Sequence, residues 1–118
     1  MNINTMISKI DRIIPITDEM KQSCPSLKGY TDIIIMNNEY GWHSANVWAD
    51  EFGYTIPDKD TLKYICSVIG LDEVGRLYWS STISKNDSNC AYAVRSDYMT
   101  WFDMDYKFGV VCLGDINV

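Results

Sequence analysis

The sequence predicts a single α+β domain, with two helices set between early strands and a C-terminal β-meander. Three observations carry this. Residues 41–52 and 59–69 each space apolar side chains three and four apart, the helical period. Each of these stretches stops at a glycine, Gly53 or Gly70, as helices commonly do. Residues 77–113 instead hold four short runs of β-branched and aromatic residues split by turn formers. Helices segregated from a meander imply α+β rather than an alternating α/β order.

In chain order, residues 10–16, with Arg12-Ile13-Ile14-Pro15-Ile16, read as a short strand, and Pro15 keeps it away from the middle of a sheet. Residues 18–23 read as one or two helical turns, followed by a loop from Cys24-Pro25-Ser26 to Gly29. Asp32-Ile33-Ile34-Ile35-Met36 reads as a buried strand, short and β-branched. A turn follows at Asn37-Asn38-Glu39. The first long helix presents Trp42, Ala45, Ala49 and Phe52 on one face, with Ser44 or a slightly earlier residue as its cap. Tyr54-Thr55-Ile56 is extended, because a residue before proline, here Pro57, avoids helical angles. Asp58 caps the second helix, whose stripe is Leu62, Ile65, Cys66 and Ile69. The meander strands are expected at 77–82, 90–96, 98–104 and 108–113. In the third, alternation sends Tyr98, Thr100 and Phe102 to one face and Met99, Trp101 and Asp103 to the other. One of those sets is expected to be core.

At 118 residues the chain is long enough for one compact core and too short for two, so residues 1–118 are read as one domain. Hydrophobic residues make up 47% and charged residues 22%, a globular rather than a disordered balance. The net charge is −6, with only 10 Lys and Arg and no run of them. Direct nucleic-acid binding is therefore not expected. Excess acid suits solubility or a basic partner. Residues 1–20 mix apolar and charged residues, without the basic start and apolar stretch of a signal peptide. The longest apolar run, 33–36, is too short for membrane insertion. The expected setting is cytoplasmic, or incorporation into a virion, a larger assembly or a homo-oligomer. Cys24, Cys66, Cys90 and Cys112 form no CxxC pair, and His43 is the sole histidine, so zinc spacing is absent. Free thiols are the expectation.

Five segments carry a family resemblance: Trp42-His43-Ser44-Ala45 through Trp48-Ala49; Gly53-Tyr54-Thr55-Ile56-Pro57 through Leu62; Tyr78-Trp79-Ser80-Ser81-Thr82; Cys90-Ala91-Tyr92-Ala93; and Gly109-Val110-Val111-Cys112-Leu113-Gly114-Asp115. In this order they resemble the Fibrobacter succinogenes major paralogous domain and Lcl-type C-terminal domain family. The resemblance covers residues 42–115 and leaves 1–40 unassigned. It implies a C-type-lectin-like fold, related to formylglycine-generating enzymes, with two helices flanking small antiparallel sheets. It marks Trp42, Pro57, Tyr78, Trp79, Ser80, Ser81, Thr82 and Cys112 as the structural motif. This chain has Tyr54 and Thr55 where the family usually has tryptophan and arginine, and Val111 in place of arginine. The cysteine often present in the first helix of exported members is missing, so Cys112 lacks its usual disulfide partner.

The hydroxyls of the YWSST segment fit a structural role, satisfying buried backbone groups beside a large core residue. Catalytic motifs such as HExxH, GxSxG and a phosphate loop are absent, and His43 reads as a helix-surface or capping residue. The chain is read as no enzyme. Asp97, Asp103 and Asp105 are the candidate acidic cluster, yet Asp103 and Asp105 also read as turn flanks, so no metal or other cofactor is expected. The candidate binding residues are Tyr92, Arg95, Asp97, Tyr98, Thr100, Trp101, Asp103 and Tyr106, which mix aromatic planes with hydrogen-bonding groups. They suit a glycan or a protein. A composition rich in Ile, Asn, Lys and Tyr resembles AT-rich bacteria or their phages, and a phage decoration or adhesion protein is the expected context. The competing expectation is a small acidic inhibitor of anti-defence type that binds a basic protein effector.

Overall fold

The computed structural model describes residues 8–71 and 76–116; residues 1–7, part of the stretch read for targeting, lie outside them. The elements run β1 (Ile10–Pro15), α1 (Asp18–Ser23), a 3₁₀ turn (Pro25–Leu27), β2 (Asp32–Met36), α2 (Trp42–Glu51), α3 (Lys59–Ile69), β3 (Tyr78–Ile83), β4 (Cys90–Arg95), β5 (Tyr98–Asp103) and β6 (Val111–Gly114). The fold is mixed α+β, with three helices and two small antiparallel sheets among the described residues. One sheet has the order β1-β2-β6 and the other β3-β4-β5. No helix among the described residues is long and apolar enough to cross a membrane.

The central strand β2 is buried throughout, and apolar from Ile33 to Met36, because both faces of its sheet are covered. Ile33 and Ile35 pack with Leu62, Ile65 and Cys66 of α3, with Val111 and Leu113 of β6, and with Leu27. Ile34 and Met36 turn the other way, onto Ala45, Trp48 and Ala49 of α2, with Cys112 and Tyr54. Each isoleucine fully buried this way contributes about 1.5–3 kcal/mol relative to exposure. The one carboxylate on β2, Asp32, is buried but satisfied: its Oδ2 accepts from Thr31 Oγ1 at 2.7 Å and from Ile116 N at 3.3 Å. Pro15 does lie on an edge strand, since β1 has a single partner.

The second sheet is held from both sides by different elements. Tyr78, Val94 and Met99 join the cluster under α3. On its reverse face Trp79, Ala91, Ala93 and Met104 pack with Trp42 of α2 and with Phe102 and Phe108. The α3 cap is as the sequence predicts: Asp58 Oδ1 accepts from Thr61 N at 2.8 Å, and Gly70 closes the helix in a left-handed conformation at φ 68°. For α2 the cap is Gly41 rather than Ser44, with no side-chain hydrogen bond.

Two expectations need correction. The fourth meander strand, placed at 108–113, does not belong to the meander. Phe108 and Gly109 make only isolated bridges, to Tyr40 and Tyr78, and β6 crosses over to pair with β2. The reason is demand for cover: β2 carries four apolar side chains and needs a partner on its second edge. The second correction concerns β5, where neither alternate set is wholly core. Met99 faces the α3 cluster and Phe102 faces Trp79, whereas Tyr98 and Trp101 stay exposed. An edge strand between two partial layers is covered at one end on each face.

Candidate functional site

The YWSST segment forms a junction between elements. In the β3–β4 pairing the register slips between Trp79 and Ile83. The Ser80 hydroxyl fills the break, donating to Tyr92 O at 2.8 Å and accepting from Thr82 N at 3.2 Å. Ser81 N donates to Pro57 O at 2.9 Å. Thr82 Oγ1 accepts from Lys59 N at 3.0 Å, which satisfies a donor in the first turn of α3. Trp79, fully buried, donates its Nε1 proton to Tyr40 O, and Trp42 donates its own to Ser80 O, both at 2.9 Å. Tyr78 is buried against Gly109, with Arg76 over its ring at 5.3 Å. Every group in the motif therefore holds a strand, a helix start or the α2 approach in place. Pro57 and Cys112 are buried in the same framework.

The β4–β5 hairpin carries most of the candidate binding residues, and its register separates them by face. Tyr92 stands directly opposite Trp101, and Cys90 opposite Asp103. Lys59 Nζ lies 5.6 Å from the centre of the Tyr92 ring. Trp101 is 43% exposed. These groups make a platform of two rings, one cation and one carboxylate. The other face has Arg95 opposite Tyr98, with the guanidinium 5.6 Å from the ring, and Thr100 opposite Ala93. At the hairpin tip Asp97 Oδ1 lies 2.8 Å from Arg95 Nε, an exposed ion pair worth little in stability. At the far end Asp103 Oδ1 accepts from Asp105 N at 2.9 Å, and Tyr106 N donates to Asp103 O at 3.1 Å. That turn holds Tyr106, 58% exposed, stacked on Phe108 at an interplanar angle of 9°. Asp103, Asp105 and Tyr106 border a shallow hollow of about 380 Å³. Tyr92, Trp101 and Asp103 thus come together, while Arg95, Tyr98 and Thr100 lie behind them and Asp97 lies roughly 20 Å from Tyr106, by the rise of an extended chain.

A second concavity has no counterpart in the sequence reading. Lys9, Tyr40, His43, Ser44, Val47, Trp48 and Glu51 line a groove of about 390 Å³ along α2. His43 packs edge-on to Trp42 at 5.2 Å. His43 and Glu51 are two turns apart, about 12 Å along the axis, so they do not form an acid–base pair. The buried Trp48 Nε1 finds no acceptor among the described residues. The sequence signal was the pair Val47-Trp48, which continues α2's apolar surface beyond the 42, 45, 49, 52 stripe.

No disulfide joins Cys24, Cys66, Cys90 and Cys112. Burial pushes the Cys112 thiol up to about 12. Cys90 is raised too, by burial first and then by the Asp87 carboxylate. Both move away from the thiolate that nucleophilic chemistry uses. No grouping of three or more metal-binding side chains forms among the described residues. No family model, no curated protein and no solved structure matches this chain.

Proposed function

We propose that the chain is a non-catalytic recognition module of C-type-lectin-like architecture, binding a glycan or a protein through the β4–β5 hairpin and the turn after it. The observation that carries this reading is the cross-strand pair Tyr92–Trp101, two aromatic residues on one face of the hairpin, with Asp103 two positions further along the same strand. Aromatic planes stack on sugar faces or on protein side chains, and an adjacent carboxylate accepts from hydroxyls or pairs with a cation. The YWSST residues build the scaffold beneath, so ligand contact falls to the hairpin. A phage decoration or adhesion protein is the setting that suits such a module. The test is a glycan array and a pull-down from host surface extract, run with the folded protein and with Trp101→Ala. Retention by wild type and at least tenfold weaker retention by the variant is expected. Silence in both assays, or full binding by the variant, would sink the reading.

The acidic-inhibitor alternative has one observation in its favour: Asp103 and Asp105 lie together in the exposed turn after β5, in a chain of net charge −6. It calls for a basic protein partner that co-purifies at low salt and is released at high salt.

A further inference from the structure

The two three-stranded sheets have four outer edges, and three of them are closed or guarded. On β6, Leu113 exchanges both backbone hydrogen bonds with Thr55, at 2.9 and 2.7 Å. On β3, Trp79 N donates to Gly109 O at 3.0 Å and Ser81 N to Pro57 O at 2.9 Å. On β1, Pro15 lacks a donor, the register breaks between Ile10 and Arg12, and Asp11 and Arg12 are exposed. These are the usual devices that stop a sheet edge from recruiting another strand.

The edge of β5 has no covering strand, no proline and no register break, and its one charged residue is Asp103 at the far end. Met104 N donates to Asn89 O at 3.0 Å, which sets the phase of the hairpin. Phe102, Thr100 and Tyr98 therefore bond to β4, and by alternation Met99, Trp101 and Asp103 turn their N–H and C=O groups outward. The Asp103 carbonyl is taken by Tyr106 N. Among the described residues nothing pairs with the outward groups of Met99 and Trp101. The strand Tyr98-Met99-Thr100-Trp101-Phe102-Asp103 contains no proline and no lysine.

We propose that this edge is a strand-addition site that takes an extended, basic segment of a partner protein. The proposal rests on the recognition reading above and gives its partner a chemistry. Backbone groups supply the ladder, and side chains two apart on one face meet Trp101 and Asp103. A cation two residues from an apolar side chain fits that pair. The nearby cations have carboxylates of their own or lie aside: Arg95 is paired with Asp97, Lys59 with Asp60 at 3.3 Å, and Lys107 is past the turn. In the register that sets Met99 against Trp101, a second copy of the chain fits worse. Antiparallel self-pairing centred on Thr100 sets Met99 against Trp101 but Asp97 against Asp103 at both ends. Like charges directly opposite destabilise such a pair.

The test uses a ten-residue peptide alternating lysine and valine, and a proline-interrupted peptide of equal charge, with amide exchange read by NMR on the whole protein. In the free protein Met99 and Trp101 amides are expected to exchange fast, and Thr100 and Phe102 amides to be protected. The alternating peptide is expected to slow Met99 and Trp101 at least tenfold. Asp103→Asn, which keeps the oxygen that accepts from Asp105 N, is expected to weaken that peptide about two- to fivefold at low salt. Equal binding of the proline peptide, binding without protection at Met99 and Trp101, or no binding at millimolar peptide overturns the proposal. Protection of both amides by concentrating the protein alone also overturns it, in favour of a second copy. Loss of Trp101→Ala binding on the array or in the pull-down, without peptide protection, leaves the recognition reading standing and removes only the edge.

Discussion

Replacing Gly109 by alanine tests the point where the chain leaves the second sheet. Its N–H donates to Leu77 O and its carbonyl accepts from Trp79 N, both at 3.0 Å, so the backbone is fixed on both sides. An added Cβ would stand 2.7 Å from both Cδ1 and Cε1 of Tyr78 and 3.1 Å from Arg76 Nε. Carbon atoms prefer about 3.5–4.0 Å. The Tyr78 ring is 1% exposed and packs with Val94, Val111 and α3, so it has nowhere to retreat. Cδ1 and Cε1 lie on the same side of the ring axis and swing together, so relief needs the ring to turn or shift within a packed cluster that has no room for it. Overpacking of this kind costs about 1–3 kcal/mol, and the buried ring argues for the upper end. For a chain of this size that corresponds to a drop of about 10 °C in Tm. Calorimetry and urea unfolding measure it. The clash is with ring carbons rather than the hydroxyl, so Tyr78→Phe should not rescue Gly109→Ala. Tyr78→Leu should: the double variant is expected to be no less stable than Tyr78→Leu alone. A loss under about 0.5 kcal/mol for Gly109→Ala, or rescue by phenylalanine, would refute this placement of the ring.

Ser80→Ala is expected to cost about 1–3 kcal/mol, since it strands both Tyr92 O and Thr82 N, and to lower the urea midpoint without changing the slope. Asp58→Ala removes the α3 cap and should cost about 1 kcal/mol by the same assay, whereas Asp58→Ser should be nearly neutral. The Cys112 thiol is raised from 9.0 to about 12, so its neutral form is the one the fold favours. Its contribution is complete below the ordinary value of 9.0 and is lost as pH climbs from there toward about 12. Urea midpoints at pH 8 and pH 10.5 should therefore differ in favour of pH 8, and the difference should shrink in Cys112→Ala. Tyr54, also raised, by burial first, adds to the loss at the alkaline end. Under mild alkylation at pH 8, half-buried Cys24 should label well before Cys66, Cys90 and Cys112; equal rates would contradict the burial pattern.

Local chemistry made most elements readable. The α3 boundaries follow from an aspartate cap and a left-handed glycine, both decided within a turn of chain. The alternation of β5 also holds, because strand period is a property of the backbone. What the sequence hides is partnership. Val111-Cys112-Leu113 looks the same whether it completes a meander or crosses to Ile33-Ile34-Ile35, and only the uncovered side of β2 decides. The same limit applies to the candidate site. Tyr92 and Trp101 stand opposite each other because hairpin register pairs them, and register depends on a turn at Ser96-Asp97 that has no left-handed residue to announce it. The α2 groove was hidden because its walls come from Lys9, Tyr40 and the helix, segments distant in sequence.

The crossover of β6 also orders events in time. As the ribosome delivers the chain, β1 and β2 can zip together early, but the second side of β2 must wait until both long helices and the whole β3–β5 sheet have been made. During that wait a strand of consecutive isoleucines has one bare edge, the kind of surface on which nascent chains stick to one another. Contacts between distant parts of a chain slow folding. The rate-limiting step for this domain should then be the docking of Val111–Gly114, and variants that weaken it should show first as insoluble protein during synthesis and only later as a lower melting point.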